Sequence, residues 1–116
     1  SHSRDIRLPM RWISILRGNV NMSFAASGGV HSASDVLKLV MSGADVTMLT
    51  SGLMAHGPGL IKTIKEDLIK WMDENEYESI AQMKGSMSLI HSPKPQTLVR
   101  DNYMRTLLDF QAQNKF

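Results

Sequence analysis

Residues 20–32 read VNMSFAASGGVHS, a short run of mostly small and apolar residues followed by two glycines. The small, apolar-leaning run from Val20 to Ala26 has the length of a strand, and Ser27-Gly28-Gly29 ends it with a turn. Ser32 is a favourable helix N-cap, and Asp35 stands three residues later, where the partner of a capping box belongs. The stretch therefore predicts a strand, a glycine turn and a helix in direct succession.

The same order is repeated further along the chain. Apolar residues within 36–40 give the helix a core-facing side, and Gly43 ends it. Residues 46–49 predict a short buried strand that ends at Thr50-Ser51-Gly52. Pro58 then opens a long amphipathic helix. The apolar residues of this helix are Leu60, Ile61, Ile64, Leu68, Ile69, Trp71 and Met72.

Strands that alternate with helices are typical of the α/β class, in which helical crossovers join parallel strands. Residues 8–16 predict a short helix before the first strand. Ser79 and Gln82 predict a capped turn over 80–84, which Gly85 ends. Beyond the proline-flanked connector at 92–95, the apolar spacing predicts a further amphipathic helix over 98–110.

The two strand ends predict an anion site. Because a right-handed crossover brings the carboxyl ends of parallel strands to one edge, residues 27–30 should lie beside residues 50–52. Gly28 and Gly29 leave their backbone N–H groups unobstructed, and the following helix adds its positive dipole end. In eight-stranded barrels the loops after strands seven and eight often form a phosphate site. The alternative is a tight turn that binds no ligand.

The histidines and aspartates of the chain give weaker indications of a functional site. His31 and His56 stand beside glycine turns, but neither has a spaced carboxylate or a second ligand, so both are interpreted as surface loop residues, and His91 in the connector has less support still. Asp35 and Asp45 are interpreted as a cap and a turn residue. We expect no catalytic residue and no metal site in this chain.

Composition narrows the class of protein. The 116 residues are 42% hydrophobic and 21% charged, which suits a single globular domain. The net charge of +2 is scattered, without the basic stripe of a nucleic-acid-binding protein. The chain has no cysteine, so it forms no disulfide and offers no thiolate. No apolar run approaches the ~20 residues of a membrane span. We therefore expect a cytoplasmic protein with neither a nucleic-acid nor a membrane partner.

The chain resembles the C-terminal part of a dihydroorotate dehydrogenase-like flavoprotein over roughly residues 6–105. The segments that carry this resemblance are Ala26-Ser27-Gly28-Gly29-Val30, Asp35-Val36-Leu37-Lys38, Gly43-Ala44-Asp45, Thr50-Ser51-Gly52-Leu53, His56-Gly57-Pro58 and residues 76–85.

The resemblance implies a fold and a cofactor. The fold is a (β/α)8 TIM barrel, of which this chain is the C-terminal portion, about the last two βα units plus extra helices, with residues 86–116 as a C-terminal extension. The cofactor is FMN. Its phosphate is expected to bind Ser27, Gly28 and Gly29 after one strand and Thr50 and Ser51 after the next. Family members often have Gly-Thr-Ala at 50–52, so backbone donors are expected to matter more than side chains.

The resemblance also implies an activity for the intact protein. That activity is oxidation of dihydroorotate or a related dihydropyrimidine in pyrimidine biosynthesis, with hydride passing to FMN. The catalytic base and most of the flavin pocket would lie on earlier strands, so the isolated chain is expected to be inactive. The alternative is a non-catalytic phosphate-binding or self-assembling module. Because two strands make too small a sheet alone, we expect a homo-oligomer or contact with a missing N-terminal portion.

Overall fold

The structure is a computed structural model that describes residues 1–87. Its elements in chain order are a 3₁₀ turn at Ser3–Ile6, α1 at Arg7–Leu16, β1 at Ala25–Ser27, α2 at Ala33–Ser42, β2 at Val46–Met48, α3 at Ser51–His56, α4 at Gly59–Glu74 and α5 at Ile80–Met83. The predicted alternation of strands and helices is confirmed. The predictions for His91, the connector at 92–95, the helix over 98–110 and nearly all of the extension at 86–116 lie outside the described residues.

The sheet consists of β1 and β2, which pair in parallel with α2 as the crossover. Ser27 is opposite Met48, so both strands end at the same level. The prediction that the first strand begins at residue 20 is wrong. Phe24 lies directly before the strand. Its N–H donates to Oδ2 of Asp45 at 2.9 Å, and its carbonyl accepts the N–H groups of Asp45 at 2.8 Å and Val46 at 3.2 Å. The Asp45 side chain therefore binds the backbone N–H at the start of the strand.

The core lies between the sheet, α1, α2 and α4. Leu39 on α2 and Met83 on α5 are fully buried. Ile13 of α1 and Ile64 of α4 are also buried and belong to the same hydrophobic cluster. Helix α2 is the central element, since it contacts α1, β2, α4 and α5. Its ends follow the sequence, with Ser32 as the N-cap and Gly43, at φ +123°, as the C-terminal stop.

One face of the sheet has no cover within residues 1–87. Ala26 points towards the helices and is buried, whereas Val46 and Met48 alternate with it and are 56% and 52% exposed. The prediction of a buried second strand is therefore wrong for these side chains. Helix α4 is also only partly covered, because Ile61 and Ile69 are exposed although Ile64 is buried.

Asp45 joins three distant segments and is more than the predicted turn residue. Its carboxylate accepts hydrogen bonds from Nζ of Lys84 at 2.8 Å and from the Arg17 guanidinium at 2.9 Å. The Lys84 hydrogen bond contributes most to lowering the pKa of Asp45, followed by the Phe24 N–H, and the pKa falls to about 2. These contacts attach the end of α1 and the turn after α5 to the start of β2.

Within residues 1–87, no helix is long and apolar enough to cross a membrane.

A candidate anion-binding cleft

The two predicted loops line one cleft at the carboxyl edge of the sheet. The cleft has a volume of about 180 Å³. Its lining residues are Ser1, Ser27, Gly28, Gly29, Val30, Met48, Thr50, Ser51 and Met54. All five residues predicted to hold a phosphate are in this set, so the structure brings them together. No charged side chain is among the lining residues, and no carboxylate there would repel an anion.

The glycine turn after β1 uses backbone angles that favour glycine. Gly28 has φ +97° and Gly29 has φ +78°. A Cβ at Gly29 would lie 2.6 Å from the His2 carbonyl oxygen and 2.8 Å from the Ile6 nitrogen, whereas a Cβ at Gly28 would meet no atom within 4 Å. Gly29 is therefore required by the close approach of residues 2–6. Gly28 is required only by its backbone angle.

The N-terminal residue shows which atoms the cleft accepts. The Gly29 N–H donates to Oγ of Ser1 at 3.3 Å, and the same Oγ is hydrogen-bonded to Oγ of Ser51. An oxygen atom in this cleft therefore meets a backbone amide from the first loop and a hydroxyl from the second. These are the donor types that hold phosphate oxygens.

Helix α2 begins directly after the first loop. Oγ of Ser32 accepts the Asp35 N–H at 3.3 Å, as the capping pattern predicts. In a capping box the Asp35 carboxylate would accept the N–H of Ser32. Here it accepts the N–H of the preceding residue, His31, at 3.0 Å, and the hydroxyl of Ser3 at 3.2 Å. The His31 N–H is therefore already hydrogen-bonded within the fold.

The second loop is shorter than predicted, because α3 begins at Ser51 with Thr50 as its N-cap. Gly52 is buried against the first loop. A Cβ on Gly52 would lie 3.0 Å from the Val30 carbonyl oxygen and 3.1 Å from Cδ2 of Leu60. The absent side chain therefore lets the two loops approach each other, a role that the sequence alone did not indicate.

The histidines occupy different positions. His56 is exposed at the end of α3, in agreement with the predicted surface residue. His31 is half-buried, and its Nε2 lies 3.4 Å from Oγ of Ser51 and 3.0 Å from the Ser1 carbonyl oxygen. His31 lies in a loop, as predicted, and its ring contacts Ser1 and the second loop. The signal for its position was its place directly after the first strand end, where parallel pairing brings it beside the second loop.

Within residues 1–87, no three histidine, aspartate or glutamate side chains come together as a metal site would require. The aspartates have structural contacts instead, since Asp35 caps α2 and Asp45 pairs with Arg17 and Lys84.

Parallel βα units with an uncharged, donor-lined cleft at the carboxyl edge define a class, the α/β proteins with a candidate anion site. Comparison with known proteins specifies the resemblance further. No model of a known protein family matches the chain. The chain is 33% identical over 73 residues to the mitochondrial dihydroorotate dehydrogenase (quinone) of Arabidopsis thaliana, which covers 63% of this chain and 15% of that protein.

Bacterial relatives give the same result. The dihydroorotate dehydrogenase (quinone) of Chelativorans sp. is 39% identical over 59 residues, or 51% of this chain and 16% of that protein. The enzyme of Azorhizobium caulinodans is 31% identical over 72 residues, or 62% of this chain and 20% of that protein. The resemblance to dihydroorotate dehydrogenases is thus confirmed, over half of the chain or more. The chain itself spans 15% to 20% of the length of these relatives.

The fold agrees with a solved structure. The crystal structure of the dihydroorotate dehydrogenase of Eimeria tenella in complex with ferulenol superposes with a TM-score of 0.68 at 20% sequence identity. The match covers 80% of this chain and 24% of the Eimeria chain. At this level of identity the match establishes a shared fold.

Proposed function

We propose that this chain is the C-terminal portion of a (β/α)8 barrel of the dihydroorotate dehydrogenase-like type, and that its two strand-end loops hold the phosphate of FMN. The whole chain, 1–116, is then one segment of the barrel, with residues 86–116 as an extension. The observation that carries the proposal is a cleft lined by both loops, in which one oxygen atom accepts a hydrogen bond from the Gly29 N–H and is hydrogen-bonded to the Ser51 hydroxyl.

The uncovered face of the sheet is consistent with the proposed barrel. Parallel sheets are normally covered on both faces, and in a (β/α)8 barrel the inner face is filled by side chains from the other strands. Here the helices cover the face of Ala26, whereas Val46 and Met48 point away from them and are exposed. Beside β2 lies an apolar groove of about 550 Å³ that includes Leu49 and Ile69. Both surfaces suit contact with further barrel units.

The residues of the cleft fit a phosphate. Gly28 has open space around it, the Gly29 N–H donates to an oxygen atom of Ser1 in the cleft, Ser51 presents a hydroxyl, and the ten-residue helix α2 begins directly behind the first loop. FMN, when bound, would accept a hydride from dihydroorotate or a related dihydropyrimidine, and that chemistry belongs to the cofactor. The residues of this chain would bind and orient the phosphate end, while the rest of the intact protein would supply the substrate site and the base.

The exposed apolar surfaces also support a second candidate. A non-catalytic phosphate-binding or self-assembling module would use the same cleft, and copies of the chain would cover each other's bare sheet faces. The two candidates differ in their ligand. A flavoprotein must bind the phosphate of FMN, whereas the module would bind phosphate without a flavin.

A fluorescence titration with FMN and riboflavin tests the proposal. FMN should bind measurably tighter than riboflavin, because only FMN carries the phosphate, and inorganic phosphate should displace it. Gly28→Val should weaken FMN binding by about tenfold, the effect of losing one or two hydrogen bonds to a charged group. Gly57→Val is the matched control, since Gly57 also has positive φ and open space but lies outside the cleft lining.

The proposal is wrong if riboflavin binds as tightly as FMN, or if Gly28→Val and Gly57→Val have equal effects. Binding of inorganic phosphate that FMN does not displace would favour the non-catalytic module.

A further inference from the structure

The imidazole of His31 extends from the first loop of the cleft to the second. Its Nε2 lies 3.4 Å from Oγ of Ser51 and 3.0 Å from the Ser1 carbonyl oxygen, and both of these residues line the cleft. Because a carbonyl oxygen can only accept a hydrogen bond, the contact with Ser1 requires a proton on Nε2. A side-chain N–H donor therefore points to the edge of the cleft.

The two oxygens of Ser1 contact three groups that are able to donate a hydrogen bond. Its Oγ contacts the Gly29 N–H and the Ser51 hydroxyl, and its carbonyl oxygen contacts Nε2 of His31. A phosphate or sulfate likewise presents several acceptor oxygens on one centre. Such an anion could replace both Ser1 oxygens and take up all three donors.

We propose that His31 is a ligand of the anion held in this cleft, and that its protonated form binds the anion more tightly than its neutral form. The inference rests on the proposed function, in which the anion is the phosphate of FMN. A hydrogen bond from a cationic donor to an anion is roughly twice as strong as a neutral one. Histidine is the side chain whose charge changes between about pH 5 and 8.

The Asp35 carboxylate contacts the backbone of His31 and not its ring, because it accepts the His31 N–H at 3.0 Å. Neither residue is among those that line the cleft, and His31 reaches the cleft through the contacts of its Nε2 with Ser1 and Ser51. The titratable and charged groups on the elements beside His31 are the amino group of Ser1, His2, Arg4 and Asp5 in the N-terminal segment, Asp35 and Lys38 on α2, and His56 on α3.

Sulfate is the suitable probe, because its charge stays constant over this pH range whereas that of a phosphate ester changes. Binding is followed by the amide shifts of Gly28, Gly29 and Ser51 in ¹H–¹⁵N spectra of the whole chain.

The dissociation constant for sulfate should be about tenfold lower at about pH 5.5 than at about pH 8. His31→Gln keeps an N–H donor without a titrating charge, so its affinity should be nearly independent of pH. His56→Gln should keep the pH dependence of the parent protein.

A second readout needs no substitution. The ring ¹⁵N resonance of Nε2 in His31 should shift on addition of sulfate, which keeps the test valid if His31→Gln folds poorly. The role of His31 is overturned if its ring resonance does not respond, or if His31→Gln keeps the parent's pH dependence. In either case a saturable shift of the Gly28 and Gly29 amides would still support the cleft itself. If those amides do not respond at either pH, both this inference and the phosphate cleft are wrong.

Discussion

Nζ of Lys84 lies 2.8 Å from Oδ1 of Asp45, although the two residues are 39 positions apart in the sequence. The same carboxylate binds Arg17 at the end of α1 and the backbone of Phe24 before β1. Asp45 therefore fixes the position from which β2 begins, and with it the level at which β2 ends at the cleft.

Asp45 should make folding stability depend on pH in the acid range. Its pKa is lowered to about 2 in the folded chain, so its contribution is fully present above its unfolded pKa and is lost as the pH falls through the folded value. Asp45→Asn should lower the free energy of unfolding near neutral pH by on the order of 1 kcal/mol, since the pair is partly open to solvent. Urea unfolding between about pH 5 and pH 2 should show a shallower acid slope for the variant.

Glu66 provides the control for this measurement. Its side chain is 64% exposed and faces Lys62 at 3.9 Å on the surface of α4, so Glu66→Gln should change the stability little. Equal pH slopes for Asp45→Asn and the parent protein would show that the contacts with Lys84 and Arg17 do not stabilise the fold.

The two glycines of the first loop should differ in their tolerance of alanine. Gly28→Ala introduces only backbone strain, which costs about 1 kcal/mol. Gly29→Ala adds a contact of 2.6 Å with the His2 carbonyl oxygen and should cost on the order of 2 kcal/mol or more. Urea unfolding of both variants checks the difference. Equal losses would mean that residues 2–6 do not pack closely on this turn.

The bare face of the sheet should drive association. Light scattering at micromolar concentration should find species larger than the 13.0 kDa monomer, because exposed apolar surface of this kind needs a partner. Val46→Lys should reduce the association by placing a charge on that face. Met22→Lys is the control, since Met22 is also exposed but lies outside the strands. A cooperative, strictly monomeric parent protein would contradict this expectation.

Much of the framework could be predicted from local sequence signals. Ser32 and Gly43 mark the ends of α2, and the position of the glycine turn relative to residues 50–52 follows from parallel pairing. The ends of α2 depend on residues close together in the chain, whose backbone preferences persist in the folded state, and the placement of the two loops follows from the general rule for parallel strands.

The remaining features depend on distant partners. The Phe24 N–H at the start of the first strand binds the side chain of Asp45, and the burial of Gly52 depends on its approach to Val30. The position of His31 beside Ser51 likewise follows only once both loops are placed. Turn preferences at each residue contain no information about such contacts.

Spectra that correlate ¹H and ¹⁵N, recorded while inorganic phosphate and then FMN is added to the chain, show whether the cleft between residues 27–30 and 50–52 binds the phosphate of FMN. We expect saturable shifts of the Gly28, Gly29 and Ser51 amides with both ligands, with tighter binding for FMN. Shifts that map to another surface, or no saturable change at these amides with either ligand, would contradict this expectation.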